Sequence, residues 1–364
     1  MSQQETVAAR REKILAGHPR LPKEVAALRR DSVTDLPRLL KQSQTALKDK
    51  GCSVYMAANK KDAQSTIRDL LVGQNQVVRT YSNALREISF DHVLHQMRIK
   101  IRKSLLSEIL GDYLDCASPG HPFLFRTDQD RDKVIEALQK FVDAGDVVSP
   151  EQLNKAAHQK IKNNILQCEF GVTGVNGIAA ENGTLVIIED EGNIRAVSNL
   201  PYRHLAVAGI EKIVATVEAS LKIQECQSIY GLGSRSPTYY SLISGPSRTG
   251  DIEFRITYGM HGPKEVHVIL LDNGRLSLVE QGFGELLRCI DCGACYQSMA
   301  SLSTKNGWSG IARTPKGIAL GIIQGALPVP KADQAVAEFD CPVNITGARL
   351  GPIFKQIDPV TDIG

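Results

Sequence analysis

Val266-His-Val-Ile-Leu-Leu271 reads as a strand with apolar side chains on both faces, and so do Leu205-Ala-Val-Ala-Gly209 and Thr184-Leu-Val-Ile-Ile188. A strand with one wetted face alternates apolar and polar residues. A nearly continuous apolar run needs cover on both sides, which is the condition of a largely parallel sheet flanked by helices. Working outward, Gly51-Cys-Ser-Val-Tyr-Met-Ala57 and Gln76-Val-Val-Arg-Thr-Tyr81 read as further strands. Helices are expected over 61–72, with Ile67, Leu70 and Leu71 on one side, and over 131–144, where Val134, Ile135, Leu138, Phe141 and Val142 form a stripe. Ser149 caps another helix with Pro150 at its first position, running to about Gln167. Residues 211–226 supply an intervening helix through Ile213, Val214, Val217 and Leu221. The expected fold class is α/β with a mostly parallel sheet.

Residues 1–50 are polar and helix-prone, with Arg10, Arg11, Arg29, Arg30, Lys41 and Lys48 interleaved with Glu12, Glu24, Asp31 and Asp35, a pattern that reads as a solvated helical face, with a basic binding arm as the competing reading. Gly274 to Gly284 reads as the passage out of the α/β unit, and the last stretch is helical and loop-rich. The expected division is a helical segment over 1–50, an α/β domain over 51–280 and a small helical domain over 281–364. A chain of 364 residues with 42% hydrophobic residues can bury a sizeable core, and a net charge of +3 gives no reason to expect a nucleic-acid partner. There is no apolar stretch of membrane-spanning length and no basic-then-apolar leader. The cysteine usage, a thiolate ligand set beside unpaired cysteines, gives the expectation of a reducing, cytoplasmic location.

Four cysteines carry the chemistry. Cys289, Cys292 and Cys295 form a C-x-x-C-x-x-C run, and Cys341 follows later with Pro342 behind it. Three thiolates from one loop and a fourth from a distant Cys-Pro is the ligand pattern of a ferredoxin-type cubane. Met299 and Ala300 stand where a second cluster would take a Cys-Pro, and no second set of ligands is left. One [4Fe–4S] cluster is therefore expected, with Met299 outside its ligand set. Four thiolates also suit zinc, although zinc ribbons usually pair two separate C-x-x-C knuckles. Cys52, Cys116, Cys168 and Cys226 are isolated and read as buried small hydrophobes, as expected of a reducing compartment.

Several stretches resemble the lactate-utilization (LUD) domain family. They are Gly171-Val-Thr-Gly-Val-Asn-Gly-Ile-Ala-Ala-Glu181-Asn-Gly-Thr-Leu-Val186, Leu200-Pro-Tyr-Arg-His204 through Val214, Ser244-Gly-Pro-Ser247-Arg248-Thr-Gly-Asp251-Ile-Glu253, and His261-Gly-Pro-Lys-Glu-Val-His267. The stretch from Val78 to Pro122 fits as well. The chain is most similar in type to the iron–sulfur LUD protein encoded by lactate-utilization operons. That resemblance implies a fold of the ribose-phosphate isomerase and CoA-transferase-like group and a C-terminal ferredoxin-like domain. It also implies partner redox subunits, cysteine-rich or flavin-containing, with a second LUD protein, in a complex that oxidises lactate. Iron–sulfur proteins of that type carry two clusters. The Met299-Ala300 replacement, and the loss of the second C-x-x-C before Cys341, depart from this pattern.

Candidate residues for a small carboxylate or phosphate ligand follow. Glu181 sits in a glycine-rich turn, where a carboxylate can abstract a proton or attack an acyl group, or simply cap nearby amides. Ser247, Arg248 and Thr249 form an anion cradle in which the planar guanidinium orients a carboxylate, with a helix cap as the competing reading. Asn193 and Arg195 can serve from a neighbouring loop, and His204 and His261 are candidate acid–base groups, although lone histidines are more often structural. The glycines at 171, 174 and 177 lack dinucleotide spacing, so no NAD is inferred. The first functional reading is an iron–sulfur electron-transfer subunit of an oxidoreductase complex acting on lactate or a related 2-hydroxy acid. A self-contained enzyme with the cluster near its cleft, and a redox-sensing or scaffold protein, stay open as alternatives.

Overall fold

The computed structural model describes residues 6–114, 131–143, 149–252, 255–296, 314–327 and 339–360. Cys116, Met299, Ala300, the stretch 119–122 and most of the altered second cysteine run lie outside the described residues.

The main sheet is built from β1 (Ser53–Ala57), β2 (Gln76–Arg79), β3 (Lys100–Lys103), β4 (Phe170–Gly174), β7 (Arg203–Gly209) and β12 (Glu265–Leu271). Its order is β1-β12-β7-β4-β2-β3, and every pairing is parallel. The side-chain period of two explains why β7 is apolar over 205–209 and β12 over 268–271, where both faces are covered. Leu205, Val207, Ile269 and Leu271 face one side, where Ile67, Phe90 and Leu94 of the helices Lys60–Leu70 and Phe90–Gln96 cover them. Ala206, Ala208, Val268 and Leu270 face the other, against Leu36, Leu39 and Leu47 of the helix Leu36–Asp49. Burying each such leucine or isoleucine fully stabilises the fold by about 1.5–3 kcal/mol. Because all six strands run the same way, their carboxyl ends open onto one side of the molecule.

Two expectations change. Thr184–Glu189 (β6) does not join the parallel sheet. It pairs antiparallel with β5 (Gly177–Ala179) and with β9 (Tyr239–Ile243). With β8 (Ile213–Val214) these strands form a second sheet of order β8-β5-β6-β9. The reason is local: the turn between β5 and β6 reverses the chain, with Gly183 at φ 71°, and a connection that short leaves room only for a hairpin. The two residues of β8, expected in a helix, instead lie beside Ile178 and Ala179. The helix starts later, at Val217–Leu232, where the Thr216 hydroxyl accepts from the Ala219 amide at 3.1 Å. The helix Pro150–Leu166 begins as expected, with a full capping box between Ser149 and Gln152. β10 (Arg248–Ile252) and β11 (Arg255–Tyr258) form a separate two-stranded ribbon.

The N-terminal helices and the C-terminal segment are not separate layers. Leu21, Val25 and Val33 of the helix Leu21–Thr34 share one apolar cluster with Ile223, Cys226 and Ile229 of Val217–Leu232. The same cluster takes in Leu286, Ile290 and the helices Pro315–Ile323 and Gly347–Gln356, through residues such as Ile318, Leu350 and Phe354. This seats the cysteine run against the α/β unit.

Candidate functional site: a cysteine pocket and the cleft beside it

Cys289, Cys292, Cys295 and Cys341 line one small pocket, closed by Phe339, Val343 and Ile345. The run leaves the short helix Gly284–Arg288 and turns back on itself, with Asp291 at φ 55° and Gly293 at φ 78°, both left-handed. Gly293 adopts this shape without side-chain strain, whereas Asp291 must be held in it. Backbone amides face the sulfurs: that of Asp291 donates to Cys289 Sγ at 3.4 Å, and those of Val343, Asn344 and Ile345 serve Cys341. Burial pushes the Cys289 thiol up to about 12 and also raises Cys292, Cys295 and Cys341. Buried sulfurs that receive N–H donors yet resist ionisation fit a cationic occupant able to drive off their protons. Among the described residues, no three Cys, His, Asp or Glu side chains converge closely enough to hold a single metal ion. A cubane does not require that, because it shares its thiolates among several irons.

A cleft of about 270 Å³ lies at the carboxyl ends of the parallel strands, where open α/β sheets receive their ligands. Thr80 to Ser82 enter it after β2, Gly174 at the end of β4, and Gly209, Glu211 and Lys212 from the end of β7. Asp291 of the cysteine run and Lys316 line it too, and Thr314 lines both pocket and cleft, so the two share a wall there.

A buried ionic network lies along the cleft side of that wall. Arg275 donates to both oxygens of Glu87 at 2.9 and 2.8 Å and also binds Glu211. Lys316 bridges Glu211 at 2.9 Å and Asp291 at 2.7 Å, and Lys212 also binds Asp291. Gly209 makes room for it: a Cβ there would fall 2.1 Å from Glu211 Oε2 and 2.7 Å from Arg275 Nε. Burial raises the Glu211 carboxyl, but Arg275, Lys316 and Lys212 outweigh it and hold the group well below the usual carboxylate range. Asp291 is held low in the same way, burial being outweighed by Lys212 and Lys316. On the far wall, Glu189 is 5% exposed and accepts the Ile194 and Arg195 amides at 2.6 and 3.0 Å, and burial raises its carboxyl.

The other sequence candidates are dispersed. Glu181 is exposed and accepts the Val217 amide at 2.9 Å, so it caps the helix Val217–Leu232. His204 is fully buried within β7, with Nε2 2.8 Å from Thr173 Oγ1, and burial lowers its pKa to about 4. Arg248 and Thr249 lie on the β10–β11 ribbon opposite Tyr258 and Thr257. Ser247 accepts the His261 amide at 3.1 Å beside that ribbon. Arg195 stacks over the Tyr239 ring at 4.2 Å. Of these candidates only Asn193 lines the cleft. Sequence reasoning missed Glu211 and Lys212, whose position directly behind β7 was a usable signal. It also missed Arg275 and Lys316, which carry no local signal.

A LUD domain family model matches residues 40–271. The chain belongs to the LUD domain family. This LUD chain is 29% identical over 360 residues to the "Uncharacterized electron transport protein YkgF" of Escherichia coli (strain K12), covering 95% of this chain and 74% of that one. It is 26% identical over 332 residues to "Lactate utilization protein B" of Bacillus subtilis (strain 168), covering 87% and 67% respectively. The crystal structure of a DUF162 family protein from Deinococcus radiodurans aligns with 65% of this chain and 98% of that chain, at 12% identity and a TM-score of 0.34. That value is too low to bear on the fold, which rests on the sheet itself. Among the described residues, no helix is long and apolar enough to cross a membrane.

Proposed function

We propose that this LUD chain is an iron–sulfur electron-transfer subunit of a complex that oxidises lactate or a related 2-hydroxy acid. The observation that carries the reading is the gathering of Cys289, Cys292, Cys295 and Cys341 around one pocket that borders the strand-end cleft. When bound, a [4Fe–4S] cluster supplies single-electron transfer. The chain's own part is to hold the thiolates, to direct amides of the 291–294 and 343–345 turns at their sulfurs, and to keep water away with Phe339, Val343 and Ile345. Names of relatives that mention lactate utilization and electron transport support the same reading. Removing hydride from a hydroxy acid normally needs a flavin or nicotinamide, and the sequence has no signature for either. The complete reaction is therefore assigned to partner redox subunits, cysteine-rich or flavin-containing, with a second LUD protein as a further member.

Anaerobically prepared full chain should contain about four irons and four sulfides, the count of one cubane. Cys341→Ser should lose most of the iron, while Cys226→Ser, in the apolar cluster but outside the pocket, should keep it. Stoichiometric zinc, or iron retained in Cys341→Ser, overturns the assignment. Lactate oxidation by the isolated chain with an artificial acceptor and no added flavin would favour a self-contained enzyme over a subunit.

A further inference from the structure

Asp291 is one of the two non-ligand residues between Cys289 and Cys292, and it is clamped from three elements, while a fourth holds the residues just ahead of the cysteines. Lys212 follows β7, and Lys316 stands in the first turn of the helix Pro315–Ile323; both bind its carboxylate. Gln227 of Val217–Leu232 donates to its carbonyl at 3.2 Å. Arg29 of Leu21–Thr34 donates to the carbonyls of Leu287 and Arg288 at 2.6 and 3.1 Å, just ahead of the cysteines. Arg275, Lys212 and Lys316 pair with three carboxylates, Glu87, Glu211 and Asp291, and Arg29 adds a fourth buried cation whose bonds go to carbonyls. A buried excess of cations is costly unless an anion offsets it. A cubane held by four thiolates is such an anion, and it becomes more negative by one charge when it takes an electron.

We infer that Lys212 and Lys316 set the reduction potential of the cluster, with Asp291 as the opposing charge. The two lysines are positioning residues that bind the Asp291 carboxylate, whereas the Asp291 amide itself donates to Cys289 Sγ. The inference rests on the proposed cluster and adds the residues that tune it. The sign follows from charge: cations near the cysteines favour the more negative, reduced cluster and raise the potential, and the Asp291 carboxylate lowers it. Both lysines also line the cleft, so whatever binds there meets the groups that tune the cluster.

The test is an anaerobic redox titration of the full chain with dithionite as one-electron donor, read by the cluster's visible absorbance and electron paramagnetic resonance, with iron and sulfide counted beforehand. Lys212→Met and Lys316→Met should each shift the one-electron equilibrium toward the oxidised cluster by on the order of tenfold, a fall of about 59 mV. Asp291→Asn should shift it the other way. The Lys212→Met, Asp291→Asn double variant should return toward wild type, and Lys212→Arg should stay near it. Opposite signs at unchanged iron content support the inference, since a purely structural clamp would move all variants in one direction. Unchanged potentials, or shifts of one sign, overturn it while leaving the cluster assignment standing. If Asp291→Asn loses iron, the two lysine variants decide the question, because each leaves Asp291 one cationic partner. Absence of iron from wild type would overturn both readings.

Discussion

Replacing Arg275 by Met tests whether the wall between cleft and cysteine pocket is held by charge. Arg275 is 2% exposed and makes two bonds to Glu87, one to Glu211 and one to the Asp272 carbonyl at 2.9 Å. Met fills much of the same volume, so the change removes charge and hydrogen bonds more than it opens a cavity. Breaking a buried ion pair by deleting one partner typically costs about 3–5 kcal/mol, because the other charge stays behind. Here the carboxylates keep some support. Glu211 retains Lys316 at 2.9 Å, and Glu87 retains Asn273 and Gln324 at 2.8 and 3.2 Å. The lower end, about 3 kcal/mol, is therefore expected. With a urea slope of about 3 kcal/mol/M, this lowers the unfolding midpoint by about 1 M. The assay is anaerobic urea unfolding at pH 7, followed by far-ultraviolet circular dichroism on the full chain. Adding Glu211→Gln to Arg275→Met should recover part of the loss, since it removes a carboxylate left short of its partner. A midpoint within about 0.3 M of wild type for Arg275→Met, roughly 1 kcal/mol at that slope, would refute the idea that this network holds the wall.

Three further outcomes are expected. His204, neutral in the fold with a pKa of about 4, resists the protonation that the unfolded chain accepts near 6.5. Its contribution is complete above that unfolded value and is lost as pH falls toward 4. About 2 kcal/mol should disappear between pH 7 and pH 5, and His204→Gln should flatten the profile of urea midpoints over that interval. Glu181→Ala should cost roughly 0.5–1 kcal/mol through the lost helix cap, without changing the iron content or the cluster's potential; a change in either would return Glu181 to the functional site. Gly171→Ala would place a Cβ 1.9 Å from the Val197 carbonyl oxygen, forcing the helix Asn193–Asn199 away from β4. A loss of about 1–3 kcal/mol or more is expected on thermal unfolding, and wild-type stability would show that this close approach is dispensable.

Features that depend on neighbours along the chain were legible in the sequence. The apolar runs at 205–209 and 266–271 imply two covered faces, the Ser149-Pro150 start implies a helix, and the cysteine spacing implies one ligand loop, because each is set by side-chain period, backbone capping or turn chemistry within a few residues. Strand partners were not legible in the same way. Thr184–Ile188 has the composition of a parallel-sheet strand, yet the reversing turn before it assigns it to a hairpin. Ile213 and Val214 have helical spacing, yet pairing with Ile178 and Ala179 makes them a strand. The charged wall lay beyond any local signal: Glu211 meets Arg275 across 64 positions and Lys316 across 105. Residue type and spacing therefore determined the covered strands at 205–209 and 266–271, the helix start at Ser149-Pro150 and the four candidate ligands. Only the tertiary structure, by opening every parallel strand end on one side and burying opposite charges together there, decided that the cysteine loop and the cleft share Lys212, Lys316 and Asp291.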